Sequence, residues 1–320
     1  MNKRYLHGFT ILELMIAMFL GLFLMGAIFK VFQFSNNITS ETLRANEQVE
    51  NGDFALQILS QDLQRSYFFA EAPGGDSKLW VDIPSIDAAK DCIDNDGLGS
   101  FPSATGFRPL WASRVPNNNT DFIMSCLANN DASIALVPGN DYISIKRVRG
   151  LRESDDYDEL RYYLNIDISH LKVSLGKVTP PGSDHWQYIH HVYYIDKQAG
   201  VSRLRRISLQ KDEMNRDAII AEGVEHMRIM FLLDARQTVD RDRSVHSIVS
   251  SKDVSAWDWG SGRVIGVKIF LLVRASDETL NYTNTDSYQL GDTKLDAFKD
   301  AYKRKVFSRI LMFVNQSRGS

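Results

Sequence analysis

Hydrophobic and polar positions fall into distinct regimes along the chain. Residues 9–34 are almost all apolar, and residues 14–29 read LMIAMFLGLFLMGAIF without a charge. The run, interrupted by Glu13, Lys30 and Gln33, is long enough to cross a hydrocarbon core of about 30 Å as a helix. Residues 35–68 contain no proline, and Ile38, Thr42, Ala45, Val49, Gly52, Leu56, Leu59 and Leu63 recur in alternating steps of four and three. That spacing draws one apolar stripe along a helix whose other faces carry Asn36, Glu41, Arg44, Glu47, Glu50, Asp53 and Arg65. The stripe predicts a seam against a β-sheet, with a coiled-coil partner as the alternative. Pro73-Gly74-Gly75 is the expected stop. Residues 74–140 read as loops. From 141 the period changes to strands at 142–148, 160–166, 186–195, 201–209, 224–233, 264–273 and 306–314, rich in β-branched and aromatic residues. Asp196-Lys197-Gln198-Ala199-Gly200 reads as a hairpin loop with Gly200 in a left-handed position. The expected class is α+β, a long helix followed by a largely antiparallel sheet.

Composition narrows the function. The chain has 320 residues, 44 % of them hydrophobic and 24 % charged, enough for one large domain or two small ones. A net charge of −3 argues against nucleic acid as a partner, although Arg203, Arg205 and Arg206 form a local basic patch. Two cysteines exclude a four-cysteine metal cage. Asp91, Asp94, Asp96 and Gly97 resemble part of a calcium loop, but Cys92 and Ser103 would occupy its anchor positions, so an acidic turn is expected. Glu153 to Glu159 reads as a solvated loop. His185, His190 and His191 fall on or before a strand, where adjacent residues point to opposite faces and cannot easily share one metal. Nucleophile-elbow, phosphate-loop and zincin motifs are absent from the sequence, so neither enzyme activity nor a cofactor is expected. Trp257 and Trp259 suggest an indole-anchored surface loop.

The first residues, MNKRYLHG, form a short basic head. The positive-inside rule places such a head in the cytoplasm and the bulk of the chain across the membrane. A cleaved secretory signal and a plain signal anchor both fit a basic head with an apolar run. Neither explains Glu13, since a carboxylate near the start of a spanning helix is costly and rarely accidental. Gly8-Phe9-Thr10-Ile11-Leu12-Glu13-Leu14-Met15-Ile16 resembles the signal of type IV prepilins and pseudopilins. The resemblance implies cleavage after Gly8 by a prepilin peptidase, N-methylation of Phe9, and a register role for Glu13. Glycine offers no side chain to clash in an extended protease cleft. The freed α-amine of Phe9 would be cationic, and Glu13 lies about one helical turn beyond it. In the family this glutamate pairs with the N-terminal amine of a neighbouring subunit.

Later blocks extend the resemblance to PilW-type minor pilins. They are Ile195-Asp196 through Leu204-Arg205-Arg206, Glu222 through Ile229, VIGVKIFLLVR at 264–274, and Tyr302 through Ser308. Residues 65–70, RSYFFA, depart from the cysteine-bearing run common after the helix in that family. The implied organisation is a leader at 1–8, a transmembrane segment at 9–34, a periplasmic continuation of the helix at 35–70 and a globular pilin domain at 71–320. The implied partners are prepilin peptidase, other minor pilins, the major pilin, inner-membrane lipid and a PilY-type tip adhesin. The implied location is the inner membrane before assembly and the pilus afterwards. A GspJ-like pseudopilin of a type II secretion system and a membrane-anchored periplasmic binding protein remain alternatives. An exported domain meets an oxidising compartment, so Cys92 and Cys126 are a candidate disulfide, with two separate thiols as the alternative. The bond would close a loop of about 34 residues, worth roughly 3–4 kcal/mol in the chain-entropy account.

Overall fold

A computed structural model describes residues 10–70, 80–103, 105–118, 121–128, 135–149, 157–166, 170–176, 184–234 and 244–315. Gly8, Phe9, Pro73-Gly74-Gly75 and Glu153 to Asp156 lie outside the described residues. The chain divides into two units, residues 1–47 and 48–320. The described part of the first unit is helical from Ile11, the start of α1 (Ile11–Gln64). Its apolar side chains are exposed throughout, from Ile11 to Phe34.

In the second unit α1 becomes a packed element. Its buried residues begin at Gln48 and continue through Gly52, Ala55, Leu56, Leu59, Ser60, Asp62 and Leu63. The stripe thus packs over its second half, while Ile38, Thr42 and Ala45 are exposed. The helix ends at Gln64, short of the expected 70. Ser66 Oγ takes the Leu63 carbonyl at 2.7 Å, and Tyr67 turns to a φ of 62°. The turn thereby satisfies a carbonyl that helical continuation would have used.

The larger sheet contains β1 (Trp80–Val81), β2 (Leu110–Arg114), β3 (Ala135–Leu136), β4 (Asp141–Val148), β5 (Tyr162–Ile166), β6 (Leu171–Leu175), β7 (Asp184–Gln198), β8 (Val201–Gln210) and β9 (Glu213–Glu222). Their main order is β1-β6-β5-β7-β4-β2. β3 and β8 also pair with β7, and β9 pairs with β8. All pairings are antiparallel except β1 with β6. The second sheet takes β10 (Val224–Asp234), β11 (Val245–Ser250), β12 (Val264–Arg274) and β15 (Arg304–Met312) in the order β11-β10-β12-β15. β13 (Tyr288–Leu290) and β14 (Thr293–Leu295) form a separate hairpin. Two short helices, α2 (Ser125–Ala128) and α3 (Ala256–Gly260), complete the elements used below.

The helix from Ala55 and both sheets share one apolar core. Buried Asp141 on β4 ties the sheets together. It accepts from Arg228 at 2.7 Å and from Ile229 N at 2.8 Å on β10, and from Arg114 at 3.0 Å on β2. The β7–β8 connection is tighter than the sequence suggests. Only Ala199 and Gly200 lie outside the strands, at φ 50° and 81°. A two-residue turn with both φ values positive matches the twist of an antiparallel pair.

Candidate functional site

The N-terminal site is built by the start of α1. Thr10 precedes the helix and Glu13 follows three residues later. Thr10 N and Thr10 Oγ1 each donate to Glu13 Oε2 at 3.0 Å, and Glu13 N donates to Thr10 Oγ1 at 3.3 Å. This reciprocal arrangement is a capping box, which satisfies donors that the first helical turn leaves open. It also sets a carboxylate where the helix dipole favours negative charge. The sequence places Glu13 near the positive end of its own helix dipole and as a key for a neighbouring chain; the reciprocal bonds with Thr10 are what the structure adds. Beyond the cap, α1 is long and apolar enough to cross a membrane, and none of its apolar stretch is buried.

A second polar constellation fixes the packed end of α1. Asp62 is 4 % exposed and accepts from Arg147 Nε at 2.7 Å, Tyr193 Oη at 2.6 Å and His191 Nδ1 at 2.6 Å. Burial alone would raise its pKa. His191 and Arg147 beside it outweigh burial and hold the carboxyl well below the usual range. Gln48, the first residue of the second unit, donates to Val273 O at 2.6 Å and Lys303 O at 3.2 Å. Neither residue was singled out in the sequence, where each reads as part of a solvated face.

The structure joins Cys92 and Cys126, with Cα atoms 4.7 Å apart. Ser125 stitches the same place non-covalently, donating to Asp91 O at 2.6 Å and accepting from Ile93 N at 2.7 Å. The acidic turn is satisfied from within. Asp91 accepts from Cys92 N, Ser100 N and Ser100 Oγ. Asp94 accepts from Asp96 N and Leu98 N, and Arg108 bridges Asp94 and Asp96 at 2.9 and 2.5 Å. Among the described residues no group of three or more His, Cys, Asp or Glu could hold a metal.

The three histidines separate as strand geometry requires. His185 bonds Asn165, His191 bonds Asp62, and His190 lies between Ser100 Oγ and Ser144 Oγ at 2.8 Å each. Asp91, Ser100, His190 and Ser144 form a hydrogen-bonded chain that resembles a catalytic relay in its residue types. His190 and Ser100 are fully buried, however, and burial holds the imidazole well below its ordinary pKa. His190 is thus an uncharged ring held between two serine hydroxyls in the interior. Arg203 and Arg205 of the basic patch are likewise committed. Arg203 grips Asp196 through two bonds at 3.0 and 3.1 Å, and Arg205 reaches the same carboxylate at 3.2 Å. Arg304 and Glu225, from two of the C-terminal blocks, meet at 2.6 and 3.2 Å. Trp259 is buried in α3, while Trp257 is 55 % exposed with the Arg263 guanidinium 5.3 Å over its ring.

Residues 192–315, from within β7 to the end of the second sheet, match the PilW family, described as type IV pilus-assembly protein W. Residues 3–29 match the prokaryotic N-terminal methylation motif. A type IV-like pilin from Thermus thermophilus aligns at 16 % identity over 58 % of this chain and 84 % of its own, with a TM-score of 0.28. At that score the likeness carries no inference. No curated protein compared with the chain matches it.

Proposed function

We propose that this type IV pilin-like chain, with its PilW domain and methylation motif, works as a minor pilin that primes filament assembly at the tip. Prepilin peptidase cuts after Gly8, and Phe9 becomes the methylated N-terminus. The globular part faces the periplasm until the subunit leaves the inner membrane for the pilus. Glu13 then pairs with the N-terminal amine of a neighbouring pilin. The task is mechanical, with no substrate turned over. Major and minor pilins are the direct partners, and a PilY-type adhesin is the cargo at the tip. The observation that carries this reading is the continuity of α1. One helix bears the methylation motif at its start and is built into the core that includes the PilW domain at its end.

The test is mass spectrometry of the N-terminal peptide from membranes and from sheared surface filaments. A peptide beginning at methylated Phe9 in the sheared fraction is the expected result. The same peptide confined to membranes would indicate a pseudopilin of a secretion system. An intact leader in both fractions would overturn processing and leave an anchored binding protein.

A further inference from the structure

Lys30 is the only cation in the apolar run at 9–34. It closes the uncharged stretch that Glu13 opens, and it is exposed on α1. Its ammonium forms no hydrogen bond or ion pair among the described residues. Glu13 is already engaged by Thr10. At 1.5 Å per residue the Cα atoms of Glu13 and Lys30 lie about 25 Å apart along the axis, so the two charges cannot pair within one chain.

That separation is close to the roughly 30 Å thickness of a bilayer core. With the capped start of α1 at one boundary, Lys30 comes within a few ångströms of the other. Its flexible four-carbon stem can then lie along the helix while the ammonium reaches the headgroups. The sequence changes character at the same place. Phe32 and Phe34 are exposed, and Ser35, Asn36 and Asn37 follow at once. Placed any deeper, the ammonium would sit in hydrocarbon with no counter-charge.

We infer that Lys30 is a depth anchor: its ammonium binds lipid phosphates of the leaflet opposite the N-terminus and sets how far the helix sinks. This inference rests on the membrane placement proposed above. The anchor holds the polar part of α1, from Ser35 onward, at a fixed height over the bilayer.

The test uses the full chain in phosphatidylglycerol–phosphatidylcholine vesicles, in buffer free of phosphate. The native cysteines are joined to each other, so Phe34→Cys supplies a single thiol for an environment-sensitive dye. Reduction of the dye by external dithionite reads its depth. Lys30→Leu should slow that reaction roughly tenfold as the label slides about one turn, or 5 Å, into hydrocarbon, whereas Lys30→Arg should leave it unchanged. Equal rates in all three chains would overturn the anchor. So would a difference that varies with protein-to-lipid ratio, because the partner would then be another helix. In phosphate-free glycolipid vesicles the difference between the Lys and Leu chains should shrink without vanishing, since the ammonium still avoids hydrocarbon, and its full restoration by dissolved inorganic phosphate would refute a lipid source. Alkaline carbonate extraction of native membranes tests the underlying placement separately. Release of the chain there refutes membrane anchoring itself, while a retained chain with an insensitive label refutes only the role of Lys30.

Discussion

Lys146 shows how one residue can set a pH dependence. It lies on β4, 3 % exposed, with its ammonium 5.5 Å from the centre of the Phe107 ring. Burial lowers its pKa to about 8, and the charges of Asp94 and Asp91 keep it from falling further. The unfolded chain holds that proton up to about pH 10.4. Between these values the unfolded state binds more protons, so stability rises with pH through the window from about 8 to 10. Below pH 8 the folded state carries the full cost of the buried charge. Lys146→Met keeps the stem and removes that charge. It should add about 1–3 kcal/mol at pH 7 and flatten the rise above pH 8. Urea unfolding at pH 7 and at pH 9.5 checks this, and a variant with the slope of the parent would refute it. Asp62 is the counterexample, a buried charge fully partnered, whose stabilisation is present at neutral pH and fades only as acid protonates the carboxyl.

The helix seam turns on a close approach. A Cβ at Gly52 would lie 2.5 Å from the Phe307 ring of β15, so α1 reaches that strand only because position 52 has no side chain. Gly52→Ala gains about 1 kcal/mol in helix propensity and loses about 1–3 kcal/mol to overpacking. The net should be destabilising, and adding Phe307→Leu should recover part of the loss. A double-mutant cycle with no coupling would remove this contact from the seam. The disulfide restrains the otherwise loop-rich segment ahead of β4. Replacing both Cys92 and Cys126 by serine should lower unfolding free energy by about 2–4 kcal/mol under oxidising conditions and change little in reductant.

The same elements explain what could be read in advance. The helix and the strands corresponding to β4, β5, β7, β8, β10, β12 and β15 are long and regular enough for their period to show. β9, EMNRDAIIAE, mixes charge and apolar residues on an edge and hides behind the two-residue turn at Lys211 and Asp212. β2, β6 and β11 are too short, or too polar, to outweigh their loop-like surroundings. Asp62 could not be recognised locally, because its partners Arg147, His191 and Tyr193 arrive from strands far along the chain. The N-terminal site was the opposite case. Gly8, Phe9 and Glu13 stood out by motif alone, while the bond from Thr10 to Glu13 needed geometry.

At the scale of the molecule, Glu13 has two possible employments that predict different phenotypes. As a cap it serves its own helix, and Thr10 is then its equal, since each satisfies the other's backbone donor. Loss of either should cost about 1 kcal/mol in the first turn and affect assembly alike. As an assembly key it serves a neighbour as well. A cationic α-amine drawn into a filament core requires a paired charge, which Thr10 cannot supply. The minor-pilin reading therefore expects an asymmetry. Thr10→Ala and Glu13→Ala should both be cleaved and methylated normally, because the cut lies before the cap. Incorporation into sheared filaments should fall slightly for Thr10→Ala and by at least about tenfold for Glu13→Ala, corresponding to 1.4 kcal/mol or more of lost pairing. Quantitative immunoblotting of sheared and membrane fractions measures both. Equal, small losses would make Glu13 a helix cap alone and would end its assignment to register.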